Sequence, residues 1–143
     1  MKERTVKQFR CDFCDKKMYR RHSMVKHEAH CTKNPGRKCG VCEMIGAVQQ
    51  PISKLTACFP DDPDYSKCGE DGFASMGIYT EHEKACKAAM GKLRELTDNC
   101  PACILAALRQ TESAVFCVSF DFKAEMKEIW DDINEENASM RGY

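Results

Sequence analysis

Hydrophobic residues along this chain fall into short, separated groups, and their periods predict helices more often than strands. Phe122, Met126, Ile129, Trp130 and Ile133 recur at i, i+4, i+7, i+8 and i+11, the spacing of one helical face. Glu125, Glu128, Asp131, Asp132 and Glu135 lie opposite, so a last helix is expected from about Phe122 to Glu135. Its apolar stripe is read as packing on the body of the protein; the alternative is a partner-binding helix anchored by Trp130. Upstream, Ala85, Cys86, Ala89, Met90, Leu93 and Leu96 fall on one side of a helix that ends near Asp98-Asn99. Thr80-Glu81-His82-Glu83 has the pattern of a capping box, and either starts that helix or lies within it. The run AVFCVSF, residues 114–120, reads as a strand, with Cys117 as a buried apolar thiol.

Two further segments resemble each other. CGVCEMIGAVQQ (39–50) and CPACILAALRQT (100–111) both open with Cys-x2-Cys and run directly into an apolar-rich helical segment. Each also has a glutamine seven residues after its second cysteine, Gln49 and Gln110. Asn34-Pro35-Gly36 forms a turn signal in the short linker before the first of them.

Composition changes what this pattern means. Leu, Ile, Val and Phe together make only 24 of 143 residues, about 17%, while 11 residues are cysteine. A core this thin implies stabilisation by disulfides or metal. The charged opening Met-Lys-Glu-Arg-Thr-Val-Lys has no apolar stretch of a secretory signal, and no run approaches the length of a membrane span. The expectation is therefore a cytoplasmic, reducing compartment, where cysteines serve as metal ligands, and an odd cysteine count also disfavours a closed disulfide set. Charge is divided sharply. Residues 1–38 hold 12 Lys/Arg against 4 Asp/Glu, a net +8, and residues 39–143 hold 10 against 18, a net −8.

The stretch from Phe9 to Cys31 contains Cys11-x2-Cys14-x12-His27-x3-Cys31. Two cysteines two apart can bring both sulfurs to one ion from a tight knuckle. His27 and Cys31, four apart, share a helix face. Together they make the N/S donor set that zinc favours. Phe9, Met18 and Met24 are the candidate core beneath it, and His30 is a competing donor at poorer spacing. This constellation resembles the ββα zinc finger, in its Cys-Cys-His-Cys variant, over residues 7–33. Met18 and Met24 stand where that family usually has Phe and Leu, and methionine specifies packing weakly. The resemblance implies that Arg20, Ser23 and Lys26 face bases in the major groove. Lys16, Lys17 and Arg21, with Lys33, Arg37 and Lys38, would then meet phosphates. The competing expectation is a solvated basic face on a finger that only holds shape.

Cys39, Cys42, Cys100 and Cys103 are read as two knuckles sharing one zinc, although 57 residues separate the pairs. A redox Cys-x-x-Cys is the rival reading, but no alternating strand–helix pattern surrounds either motif. A third set is Cys58, Cys68, His82 and Cys86. Phe73-x5-Tyr79-x2-His82-x3-Cys86 repeats the spacing of Met18-x5-Met24-x2-His27-x3-Cys31, whereas the spacing of Cys58 and Cys68 does not match a finger. It is expected to be a degenerate finger or an unrelated site, or to bind no metal. Two to three zinc ions per chain are expected in all.

The CPACILAALRQ region is similar to segments of small proteins of tailed bacteriophages, which implies an origin rather than an activity; virion association is the alternative to a cytoplasmic location. No phosphate-binding loop, nucleophile elbow or complete metalloprotease motif is present; in HEAHC, Cys31 stands where the second His of such a motif is required. The expectation is a non-enzymatic, small, zinc-stabilised α+β protein. It would consist of a finger (1–33), a linker (34–38) and a mostly helical zinc-stapled domain (39–143). DNA is the expected partner of residues 1–38 and a protein that of residues 39–143, with no membrane; the alternative function is a structural or adaptor protein using zinc only to fold.

Overall fold

The computed structural model describes residues 1–61, 73–111 and 120–142. Among them are two short strands, β1 (Phe9–Arg10) and β2 (Lys17–Met18), and six helices. The helices are α1 (Arg21–His30), α2 (Gly40–Ile45), α3 (Ile52–Thr56), α4 (Phe73–Thr97), α5 (Pro101–Gln110) and α6 (Phe122–Arg141). This is the small α+β architecture expected from the sequence. The region read as a strand around Cys117 lies outside the described residues, apart from Phe120.

β1 and β2 form an antiparallel hairpin with Phe9 opposite Met18 and Arg10 opposite Lys17. The turn between them carries Asp15 at φ 60°, a left-handed conformation that Asp tolerates better than most residues. Helix α1 follows at once. Met24 is its one buried residue, and no side chain caps its start at Arg20. A ten-residue helix of this kind is marginal in water by itself. It is held instead by a small cluster of Cys11, Met24 and Cys31, with Phe9, Cys14 and Met18 against it.

The main core lies among α2, α3, α4 and α5. Leu55, Leu93 and Ile104 are fully buried there, joined by Phe59, Ala89, Met90, Ala107 and the four cysteines at 39, 42, 100 and 103. Helix α5 is buried along most of its length because its small residues, Ala102, Ala106 and Ala107, allow close approach of its neighbours. Thr80 lies inside α4, so the capping-box sequence does not start that helix. The helix ends as expected at Asp98 and Asn99, both in the left-handed region, with φ of 53° and 57°. This reversal turns the chain straight into the Cys100 knuckle. Thr97, also buried, closes the last turn by donating its hydroxyl to the Leu93 carbonyl at 2.8 Å.

Helix α6 starts where expected. Asp121 caps it by accepting from the N–H groups of Lys123 and Ala124 at 3.0 and 3.2 Å. It runs to Arg141, six residues past the expected end at Glu135, as a mostly exposed acidic helix. Glu125, on its acidic face, forms a two-pronged ion pair with Arg94 of α4, the shorter arm 2.6 Å long.

Candidate metal centres

The N-terminal centre is assembled from the hairpin knuckle and the end of α1. The donor atoms of Cys11, Cys14, His27 and Cys31 all lie within 4.8 Å of one another. Cys14 Sγ stands 3.0 Å from His27 Nε2. The knuckle is shaped by its own backbone: Cys11 N–H donates to the Lys16 carbonyl at 2.8 Å, and Cys11 Sγ accepts from Phe13 N–H at 3.4 Å. Glu28 reaches back from α1 to accept from Asp12 N–H at 3.1 Å. Cys11 and Cys31 are buried, while Cys14 and His27 are half-exposed. His30, the competing donor, is outside the group; its Nδ1 lies 2.8 Å from the Lys38 carbonyl. Burial works to raise the Cys14 thiol, but hydrogen bonds to the Lys16 backbone, His27, Cys11 and Cys31 bring it down to about 7. Burial pushes Cys31 up.

The second centre brings together segments far apart in the chain. Cys39, Cys42, Cys100 and Cys103 have their sulfurs within 4.8 Å of one another, and all four are at most 2% exposed. The knuckles meet sulfur to sulfur, Cys39 with Cys100 at 3.5 Å and Cys42 with Cys103 at 3.4 Å. Cys39 precedes α2 and its Sγ accepts from Cys42 N–H at 3.4 Å; Cys100 precedes α5, whose first residue is Pro101. Proline suits that position because its missing N–H has no intrahelical partner there in any case.

Zinc fits both donor sets. With Zn–S bonds of about 2.3 Å, the edge of a tetrahedron is about 3.8 Å, and both groups enclose such a volume. The protonation pattern of the second group points the same way. Hydrogen bonds from Cys100 and Cys103 hold Cys39 far below the usual thiol range. Cys100 is pushed far above it by Cys103 and Cys39 and by burial. Burial and Cys103 raise Cys42 to about 12. Four buried thiols this close cannot all ionise unless a cation replaces their protons. A divalent ion held by the four sulfurs would supply that cation. Each centre has four protein donors, which is the pattern of a structural site and leaves no position for a reacting water.

The third set is not assembled among the described residues. His82 and Cys86 are buried one turn apart on α4, with Cys86 Sγ 3.5 Å from His82 Nε2. Cys58 lies just after α3, its Sγ 3.5 Å from the Lys54 carbonyl. Cys68 lies outside the described residues, as does the start of the repeat at Phe73 and Tyr79 so far as side chains are concerned.

Of the basic residues, Arg20, Lys26, Lys16, Lys17 and Arg21 are exposed and Ser23 is half-buried. Arg37 departs from its expected role. It is only 7% exposed and turns inward, its Nη1 donating to Cys103 Sγ at 3.7 Å, so it is not available to a phosphate. Gln49 and Gln110, which repeat at the same offset in the sequence, take a role only in the fold. Both clamp the linker. Gln49 accepts from Cys39 N–H and donates to the Arg37 carbonyl, each at 2.7 Å. Gln110 donates to the Thr32 and Asn34 carbonyls at 2.7 and 3.2 Å. Their shared offset from a Cys-x2-Cys knuckle was the available signal.

No protein-family model, curated protein or solved structure matches this chain. Among the described residues, no helix is long and apolar enough to cross a membrane.

Proposed function

We propose that this is a non-enzymatic zinc protein that binds duplex DNA through its N-terminal finger, with zinc at both centres serving to hold shape. One observation carries the reading. Arg20, Lys26, Lys16, Lys17 and Arg21 are exposed around the start of α1, and none forms an ion pair with a described residue. They belong to a segment of net charge +8. Arg20 and Lys26, with Ser23, stand where a helix entered into the major groove would present donors to guanine. Lys16, Lys17 and Arg21 flank them for phosphates.

The test is binding of the zinc-loaded protein to duplex DNA across a range of salt. Phosphate contacts release counterions, so log affinity falls linearly with log salt, by about 0.9 per neutralised phosphate. Arg20→Ala with Lys26→Ala is expected to weaken binding by about 1–3 kcal/mol for each lost base contact. Unchanged affinity in that double variant removes the assigned reading face, and no binding at low salt removes the DNA reading.

A second reading, a structural or adaptor protein, has its own support. Trp130, 48% exposed, and Met44, 43% exposed, line an apolar groove of about 440 Å³ together with Val41, Phe122 and Met126. A stable protein complex that survives nuclease and high salt is the outcome that favours it.

A further inference from the structure

Arg37 is the most unusual side chain in the protein. A fully charged guanidinium is buried to 93% of its surface, which is costly unless an anion faces it. No carboxylate does so among the described residues; its Nη1 points at Cys103 Sγ at 3.7 Å. Its Nε is buried with no hydrogen-bond partner among the described residues. A neutral thiol is a poor acceptor for such a group. A thiolate bound to a metal is a good one, and four thiolates around a divalent ion leave two negative charges in excess. A metal-loaded second centre would be a buried anion, and Arg37 is a buried cation in need of one.

Its backbone has an equally specific setting. The Arg37 carbonyl accepts from Gln49 Nε2 at 2.7 Å, and the same Gln49 holds Cys39 N–H. The next residue, Lys38, donates its N–H to the Ala29 carbonyl of α1 at 2.8 Å, and its carbonyl meets His30 Nδ1. The side chain that faces the second centre thus sits on the strap that leaves the first.

We propose that Arg37 is a positioning residue for the four-thiolate centre: its guanidinium offsets the charge of the metal-bound Cys103, and loading of that centre thereby locks the linker and sets how the finger is held. The inference rests on the metal reading of the second centre.

The experiment compares the full-length protein with Arg37→Met, which keeps volume without charge, and Arg37→Lys, which keeps charge. Zinc is withdrawn with a competing chelator while backbone amide signals of residues 39 and 103 report the second centre and those of 11 and 31 report the first. Arg37→Met is expected to weaken zinc at the second centre about 10–100-fold, the range for loss of a group supporting metal ligands, and to leave the first unchanged. Arg37→Lys is expected to recover part of that loss. In the cobalt-loaded protein, losing the N–H···S contact should move the sulfur-to-cobalt absorption to lower energy, and the Lys38 amide should exchange faster with water. Wild-type affinity and spectrum in Arg37→Met overturn the proposal. Equal losses in Arg37→Met and Arg37→Lys assign the residue to packing and also overturn it. Should Arg37→Met fail to fold, the wild-type zinc protein decides: slowly exchanging Arg37 guanidinium protons support the proposal and rapidly exchanging ones refute it. A wild-type protein that takes up no metal at Cys39, Cys42, Cys100 and Cys103 instead refutes the metal reading itself, an outcome separate from the others.

Discussion

Truncating the two glutamines that hold the linker, Gln49 and Gln110, should produce unequal losses of stability, and the inequality follows from what each leaves behind. Gln110→Ala removes two hydrogen bonds, to the carbonyls of Thr32 and Asn34. Both acceptors belong to half-exposed residues, so water can replace the amide. At about 0.5–1.5 kcal/mol net per bond, and toward the low end with water at hand, the loss is about 1–2 kcal/mol. Gln49→Ala also removes two bonds, but one of them satisfies the N–H of Cys39, a residue 2% exposed at the edge of the second centre. A stranded buried donor costs about 1–3 kcal/mol in its own right, so this variant should lose about 2–4 kcal/mol. Gln49→Glu should be no better, because it can accept from Cys39 but cannot donate to Arg37, and it adds negative charge beside the thiolates. Urea unfolding of zinc-saturated protein, followed by circular dichroism at fixed free zinc, measures both. The zinc level has to be held constant because metal binding is itself part of the folding free energy. A loss in Gln110→Ala equal to or larger than that in Gln49→Ala would refute the reasoning, as would a change below about 0.5 kcal/mol in Gln49→Ala.

Other perturbations test separate parts of the structure. Cys100→Ser should abolish metal at the second centre while the N-terminal centre keeps its own, read as a drop of one equivalent in bound zinc. Met24→Ala, which empties the one buried position of α1, should cost about 2–5 kcal/mol and broaden or lose the amide signals of residues 9–31 without disturbing α4 and α5. Leu93→Ala should cost a similar amount and act on the opposite part, since Leu93 is 0% exposed in the main core. Gly46→Ala should cost about 1 kcal/mol in denaturant unfolding although nothing crowds its Cβ, because Gly46 ends α2 at φ 71°.

The division between what was legible in the chain and what was not follows the range of the interactions. Cys11-x2-Cys14 with His27-x3-Cys31, the reversal at Asp98-Asn99 and the start of α6 at Asp121-Phe122 are local matters. Knuckle geometry, helix periodicity and turn preference act over a few residues, so spacing by itself carries them. The α6 stripe also announced a helix, but not that it would continue to Arg141, because its last turns bury nothing that leaves a pattern. The capping-box letters at Thr80 were present without the helix start, since α4 already extends from Phe73 through them.

Similarity of the two knuckle segments suggested that Cys39, Cys42, Cys100 and Cys103 share an ion. Their convergence within 4.8 Å, however, depends on α2, α3, α4 and α5 packing around Leu55, Leu93 and Ile104. The same packing settled two roles that no spacing encodes. Arg37 reads as one more cation in a basic stretch, and only the fold buries it against Cys103. Gln49 and Gln110 read as a curious repetition, and only the fold brings both amides to one linker. By itself, the sequence determined which short segments can bind metal and which can coil, because ligand spacing and helical period are properties of neighbouring residues. Tertiary structure alone decided which charges meet which sulfurs, because burial and long-range electrostatics exist only once distant segments have been brought together.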